Sequence, residues 1–225
     1  MKIGIITEAR MTSSRLPGKH LLKVEDKFIY EIFVDQLKKS KLSDTIILAT
    51  TINKPDDALC ALARKLNIDI YRGSEDNVME RVLGAALSFD IDIIVEITAD
   101  CPLIDPSLID QAIRTYLDSD VEYVSNVINR QFADGMDVQV FSSKLLRNNY
   151  SPYLDAHHLE HVTTHIRKSE AITKLHLLAD PTCFAPDASI TLDTYQDYEK
   201  ICEVYSQLVS EGKLLNCQNI TKLLK

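Results

Sequence analysis

The chain has 225 residues, of which 45% are hydrophobic and 26% charged, and a formal net charge of -8. That length suits one large domain, or a domain with a modest insertion, and the apolar fraction suffices for a sizeable core. The acidic balance argues against nucleic acid or an anionic membrane as partner, since both call for a basic face, but it leaves room for a small anion in one basic pocket.

The first apolar run, residues 2–6, reads as a buried strand. Phe28, Ile29, Ile32, Phe33 and Leu37 then form one stripe of a helix. Residues 44–51 predict a second strand, DDALCALARKLN a second helix, and IDIYRG a third strand. The next helix, SEDNVMERVLGAALSF, is expected to start at Ser74, a good N-cap, with acidic residues in its first turn. Residues 91–99 are almost continuously apolar and β-branched, as a central strand covered on both faces requires. A helix beginning near Pro106 follows, and Asp105 is expected to cap it. YVSN and DVQVFS predict strands around a polar loop, AHHLEHVTTHIRK one helix, KLHLLA and SITLD two strands, and YQDYEKICEVYSQLVSEG a long final helix.

Strands alternating with helices predict an α/β fold with a mostly parallel sheet. The chain is expected to form a single domain over 1–225, with an irregular α+β insertion at about 121–180. Cys60, Cys101, Cys183, Cys202 and Cys217 are odd in number and lack CxxC spacing. They imply a reduced, cytoplasmic setting rather than disulfides or zinc. No signal peptide is expected, and no apolar run approaches the roughly 20 residues that span a bilayer.

Function concentrates in the loop after the first strand. Residues 9–19 carry Arg10, Arg15 and Lys19, with Ser13 and Ser14, and no carboxylate. In an open α/β sheet this loop lies at the carboxyl end of a strand, where ligands bind. Arginine forks, a lysine point charge, hydroxyls and loop amides together suit phosphate oxygens. Pro17-Gly18 is a turn that aims Lys19 back at the same anion. Neither GxGxxG nor GxxxxGK[ST] is present, so a dinucleotide fold and a P-loop kinase are unsupported. Asp100 and Asp193 each end an apolar run. Two such carboxylates plus phosphate oxygens make a hard, oxygen-only site of the kind Mg²⁺ takes. His157, His158 and His161 lack a third ligand of matching type and an HExxH pattern, so zinc is not expected.

ARMTSSRLPGK resembles the signature loop of the sugar-activating cytidylyltransferases, which include the Kdo and sialic-acid CMP-synthetases, and especially the spore-coat polysaccharide branch. RGSEDNVMER, ITADCPLIDPSLID, ADGMDVQVFS, EHVTTHIRK and TLDTYQDYE extend the match, in order, over most of the chain. The resemblance implies a three-layer, Rossmann-like fold of the nucleotide-diphospho-sugar transferase type. It implies CMP transfer from CTP to a sugar hydroxyl, typically of a 2-keto sugar acid, with Mg²⁺ held by Asp100 and Asp193 and a homodimer built through the middle section. It also implies that Ala9 and the loop bind nucleotide, that Arg72, Gly73 and Ser74 approach base and ribose, and that Glu160 and His161 bind the acceptor. Asp134 and Asp137 either bind sugar hydroxyls or shape a turn. Three positions depart from the pattern: Glu8 replaces a glutamine, and Leu159 and Ser189 replace arginines. Two lost cations weaken the case for an anionic acceptor. A nucleotidyltransferase with another base or acceptor, such as an alditol phosphate or phosphonate, and a non-catalytic protein of the same fold are the alternative readings.

Overall fold

A computed structural model describes all residues, 1–225. Its main sheet has seven strands in the order β5-β4-β1-β6-β8-β7-β9. Here β1 is Ile3–Glu8, β4 Thr45–Thr51, β5 Asp69–Gly73, β6 Ile93–Glu96, β7 Tyr123–Ser125, β8 Gln139–Ser142 and β9 Lys174–His176. β2 (Lys23–Val24) and β3 (Lys27–Phe28) form a separate hairpin, turned at Glu25 with φ 53°. β5, β4, β1 and β6 run parallel, whereas β8 is antiparallel to both β6 and β7. The fold is therefore the expected α/β arrangement with a mixed, mostly parallel sheet, and the section after residue 121 adds three strands to that same sheet.

The helices are α1 (Ile29–Leu37), α2 (Asp57–Lys65), α3 (Val78–Ser88), α4 (Pro106–Leu117), α5 (Ser143–Asn149), α6 (Ala156–Glu160), α7 (Thr164–Lys168), α8 (Tyr195–Ser210) and α9 (Cys217–Leu224). α1 and α4 pack on one sheet face with Ile5, Leu48 and Val95, and α3 and α5 pack on the other with Ile6, Ile47 and Ile94. This is the alternation that a strand buried on both faces imposes.

Four expectations are corrected. Ser74 does not cap α3: Asn77 does, its side chain accepting from Glu80 N at 2.9 Å, while Ser74 Oγ accepts from Asn77 N. The expected single helix over AHHLEHVTTHIRK is two, α6 and α7, broken where Thr163 turns inward to donate to Gln139 Oε1 at 2.6 Å. SITLD is not a strand. Ile190 and Leu192 alternate inward because the segment crosses the carboxyl ends of the strands, its backbone bonding Asp134 and Asp100 rather than a sheet edge. β6 is also shorter than the apolar run that encodes it, although Ile97 N and Ala99 N continue to donate to Ile6 and Glu8 carbonyls.

Strand order reverses between β1 and β6, because the chain's next strands lie on opposite sides of β1. A crevice outside the carboxyl ends of the strands opens at such a point.

Candidate active site

A cavity of about 460 Å³ lies at that reversal. The basic loop forms one wall. Gly18 N donates to the Met11 carbonyl at 2.9 Å and closes the loop, with Gly18 at φ 73°, a conformation glycine adopts without strain. The turn delivers Lys19 to a short 3₁₀ helix, where it is only 7% exposed. Ala9, Arg10, Ser13, Ser14, Arg15 and Lys19 all line the cavity.

Opposite stand the two aspartates. Asp100 follows β6, and its carbonyl accepts from Leu192 N at 2.8 Å, which brings the segment carrying Asp193 alongside. A capping box at α8, in which Thr194 and Asp197 satisfy each other's backbone amides, fixes the residue just after Asp193. The acidic and basic groups meet directly. Lys19 Nζ donates to Leu192 O at 2.5 Å and to Asp193 Oδ1 at 3.1 Å, and Arg15 Nη2 pairs with Asp193 Oδ2 at 2.8 Å. Arg10 spans the mouth between Glu75, at 3.5 Å, and Glu160, at 3.6 Å.

The donor set decides what cation fits. Asp100 and Asp193 offer carboxylate oxygens only, on adjacent segments, and no group of three or more His, Cys, Asp or Glu side chains converges anywhere in the chain. A site with two carboxylates suits a hard divalent cation that takes its remaining ligands from water and substrate phosphates. It does not suit a tetrahedral zinc centre.

Asp137 and the pair Glu160 and His161 also line the cavity. Asp137 is gripped by a two-pronged bond from Arg130, 2.8 Å on each arm, and Asp134 pairs with the same guanidinium at 3.1 Å outside the cavity. The intervening Gly135 has φ 101°, and a Cβ there would stand 2.8 Å from the Ile190 carbonyl carbon. This turn thus docks the segment that leads to Asp193. Arg72, Gly73 and Ser74 are not among the cavity's lining residues. The Arg72 guanidinium is taken up by Asp57 at 2.6 Å and by the carbonyls of Thr51 and Asn53.

Around Glu8, which the sequence already marks as a departure from the family pattern, the structure adds a polar layer that sequence reading missed: Glu96, Gln139, Thr163, Arg81 and Arg167. Glu96 carried a signal, since of the two charged side chains in the apolar run 91–99, Asp92 and Glu96, it is the one deep inside the run. Burial, opposed by Arg81, pushes the Glu8 carboxyl up to about 7. Burial and the neighbouring Glu8 charge push Glu96 well above the usual carboxylate range. His20, 3% exposed beside Lys19, is pushed down to about 3 by burial and then by the lysine charge, so it stays neutral.

A cationic loop and two carboxylates thus face one cavity at the switch point of a mixed α/β sheet, an arrangement suited to a small polyanion. The family model described as cytidylyltransferase matches residues 3–219, and the chain belongs to that family. It is 35% identical to an uncharacterized protein of Methanocaldococcus jannaschii, over 96% of this chain and 86% of that one. It is 32% identical to the spore coat polysaccharide biosynthesis protein SpsF of Bacillus subtilis, over 96% and 94%. Among solved structures, a cytidylyltransferase from Leptospira borgpetersenii superposes with a TM-score of 0.87 at 33% identity, covering 92% of this chain and 87% of that one.

Proposed function

We propose that this enzyme transfers CMP from CTP to a sugar hydroxyl in the synthesis of a surface polysaccharide. The observation that supports it best is that Arg10, Arg15, Lys19, Asp100 and Asp193 line one cavity. Arg10, Arg15 and Lys19 hold the β- and γ-phosphates and take up the charge that develops on the leaving group. Asp100 and Asp193 would hold Mg²⁺. Bound there, the ion supplies charge neutralisation and orientation of the α-phosphate. Asp193 pairs with Arg15 and Lys19, which keeps these cations aimed at the place proposed for the phosphates.

The sugar hydroxyl oxygen forms a bond to the α-phosphorus, the α–β bridging P–O bond breaks, pyrophosphate leaves, and the hydroxyl proton passes to solvent. No covalent protein intermediate is required, because positioning and fixed charge supply the catalysis. Glu160 and His161 contact the acceptor. The reading places the reaction in the cytoplasm, in keeping with five unpaired thiols, four of them buried. It makes the enzyme a homodimer through the middle section, about 121–180, where the apolar side chains of Tyr153 and Leu178 are left 94% and 66% exposed. No helix is long and apolar enough to cross a membrane. Pyrophosphate release from CTP, with and without Mg²⁺, across a panel of sugar acceptors tests the proposal. Release with CTP and one acceptor class supports it, and release only with another nucleotide overturns the choice of base.

A further inference from the structure

The floor of the cavity carries charge that holding a triphosphate does not use. Glu8 ends β1 and Glu96 ends β6, and the register that sets Ile6 opposite Glu96 brings the two carboxyls together at the reversal of strand order. Both Glu8 oxygens are buried, and apart from the carboxyl–carboxyl contact with Glu96, in which the two acids share a proton, they accept no hydrogen bond from the protein. Glu96, 4% exposed, accepts one from Gln139 Nε2 at 2.8 Å. The Gln139 oxygen already accepts from the Tyr123 and Thr163 hydroxyls, which fixes its amide nitrogen toward Glu96.

Two arginines face this layer, and the hydrogen bonds they make go elsewhere, with Arg167 Nε left unpartnered. Arg81, from α3, bonds the carbonyls of Ala49 and Ser74, and Arg167, from α7, bonds Thr164 Oγ1. Four carboxyl oxygens thus face one shared proton, the Gln139 amide and one free guanidinium N–H, so acceptors outnumber donors. A buried acid pair short of donors is costly, and a ligand that brings both N–H groups and positive charge lowers that cost. An ammonium brings three donors and a unit charge, whereas a hydroxyl brings one donor and none.

We infer that the acceptor sugar carries a free amine and that its ammonium seats between Glu8 and Glu96. The inference rests on reading this cavity as a CMP-transfer site. The triphosphate takes the side lined by Lys19 and Asp193, and the acceptor takes the side lined by Glu160, His161 and the acid pair. A buried site built to pair with an N–H group rejects analogues that leave its acceptors unmatched.

The test compares matched acceptors in the presence of CTP and Mg²⁺: glucosamine against glucose and N-acetylglucosamine, and one 2-keto-3-deoxy sugar acid carrying either a hydroxyl or an amine at the same carbon. Binding is read by calorimetry and turnover by pyrophosphate release, for the wild type, Glu8→Gln and Glu96→Gln, with folding checked by circular dichroism. The expected result is at least a tenfold preference for an amino member over its hydroxyl and N-acetyl counterparts, falling below threefold in either variant. Equal handling, a hydroxyl preference, no interaction with any amino member, or a preference that survives both substitutions overturns it. The CTP-induced rise in melting temperature is measured alongside. A rise without amine preference leaves CMP transfer standing and removes the acceptor inference, whereas no rise removes both.

Discussion

Replacing Glu8 by glutamine is predicted to stabilise the folded protein in a pH-dependent way. Glu8 titrates near 7 in the fold, against an ordinary 4.5, chiefly because burial opposes its charge. Between those values the native state holds a proton that the unfolded chain has released, so stability falls as pH rises through the window. Above pH 7 the whole penalty is present. A shift of that size corresponds to about 3 kcal/mol at about 1.4 kcal/mol per unit. Glu8→Gln removes it and also relieves Glu96 of a neighbouring negative charge, so both effects act in the same direction. The variant should match the wild type near pH 4 and gain about 3 kcal/mol above pH 8. For a chain of this length that is a rise in melting temperature of about 6–12 °C. Calorimetric melts from pH 4 to 9 measure it. A difference that does not change with pH, or a variant less stable than the wild type at pH 8.5, refutes the claim that the cavity floor holds an uncompensated acid. The gain in stability should come with a loss of acceptor selectivity, the usual exchange at a strained functional site.

Other consequences are as direct. Lys19→Ala should lower kcat by roughly 10²–10³-fold, the range for removing one fixed donor to a developing negative charge, while circular dichroism stays that of the wild type; near-normal turnover would remove Lys19 from the mechanism. Asp100→Asn should move the divalent-metal titration of activity to higher concentration, and chelation should abolish wild-type turnover; unchanged curves would defeat the metal assignment. His20 stays neutral in the fold until about pH 3, whereas an unfolded histidine takes a proton near 6.5. Stability should therefore fall as pH drops through that window, and His20→Gln should shift the midpoint of acid unfolding to lower pH. A midpoint that does not move would show that His20 is not the group being forced to charge.

What the sequence shows and what it hides follow from distance along the chain. The cradle is legible because Arg10, Arg15 and Lys19 lie within ten consecutive residues and a Pro-Gly turn fixes their direction. Asp100 is legible because it ends an apolar run whose strand can only be central. Asp193 is legible for its position, but its run is not a strand: inward alternation reports burial, and only the backbone bonds to Asp134 and Asp100 show what the segment crosses. Only the resemblance gives Arg72, Gly73 and Ser74 a ligand role, and the fold pairs the Arg72 guanidinium with Asp57, fifteen residues away in sequence, a contact that no local pattern encodes. The acid pair is hidden for the same reason on a larger scale. Glu8, Glu96 and Gln139 meet only through the registers β1–β6 and β6–β8, and no local pattern encodes a register.

CMP transfer at this site requires the two charged walls of the cavity to serve a single nucleotide. A crystal structure with CTP and Mg²⁺ tests this directly. It should show Arg15 and Lys19 on the β- and γ-phosphates, with a metal held by Asp100 and Asp193. A triphosphate bound outside this cavity, or a metal held by neither aspartate, would contradict it.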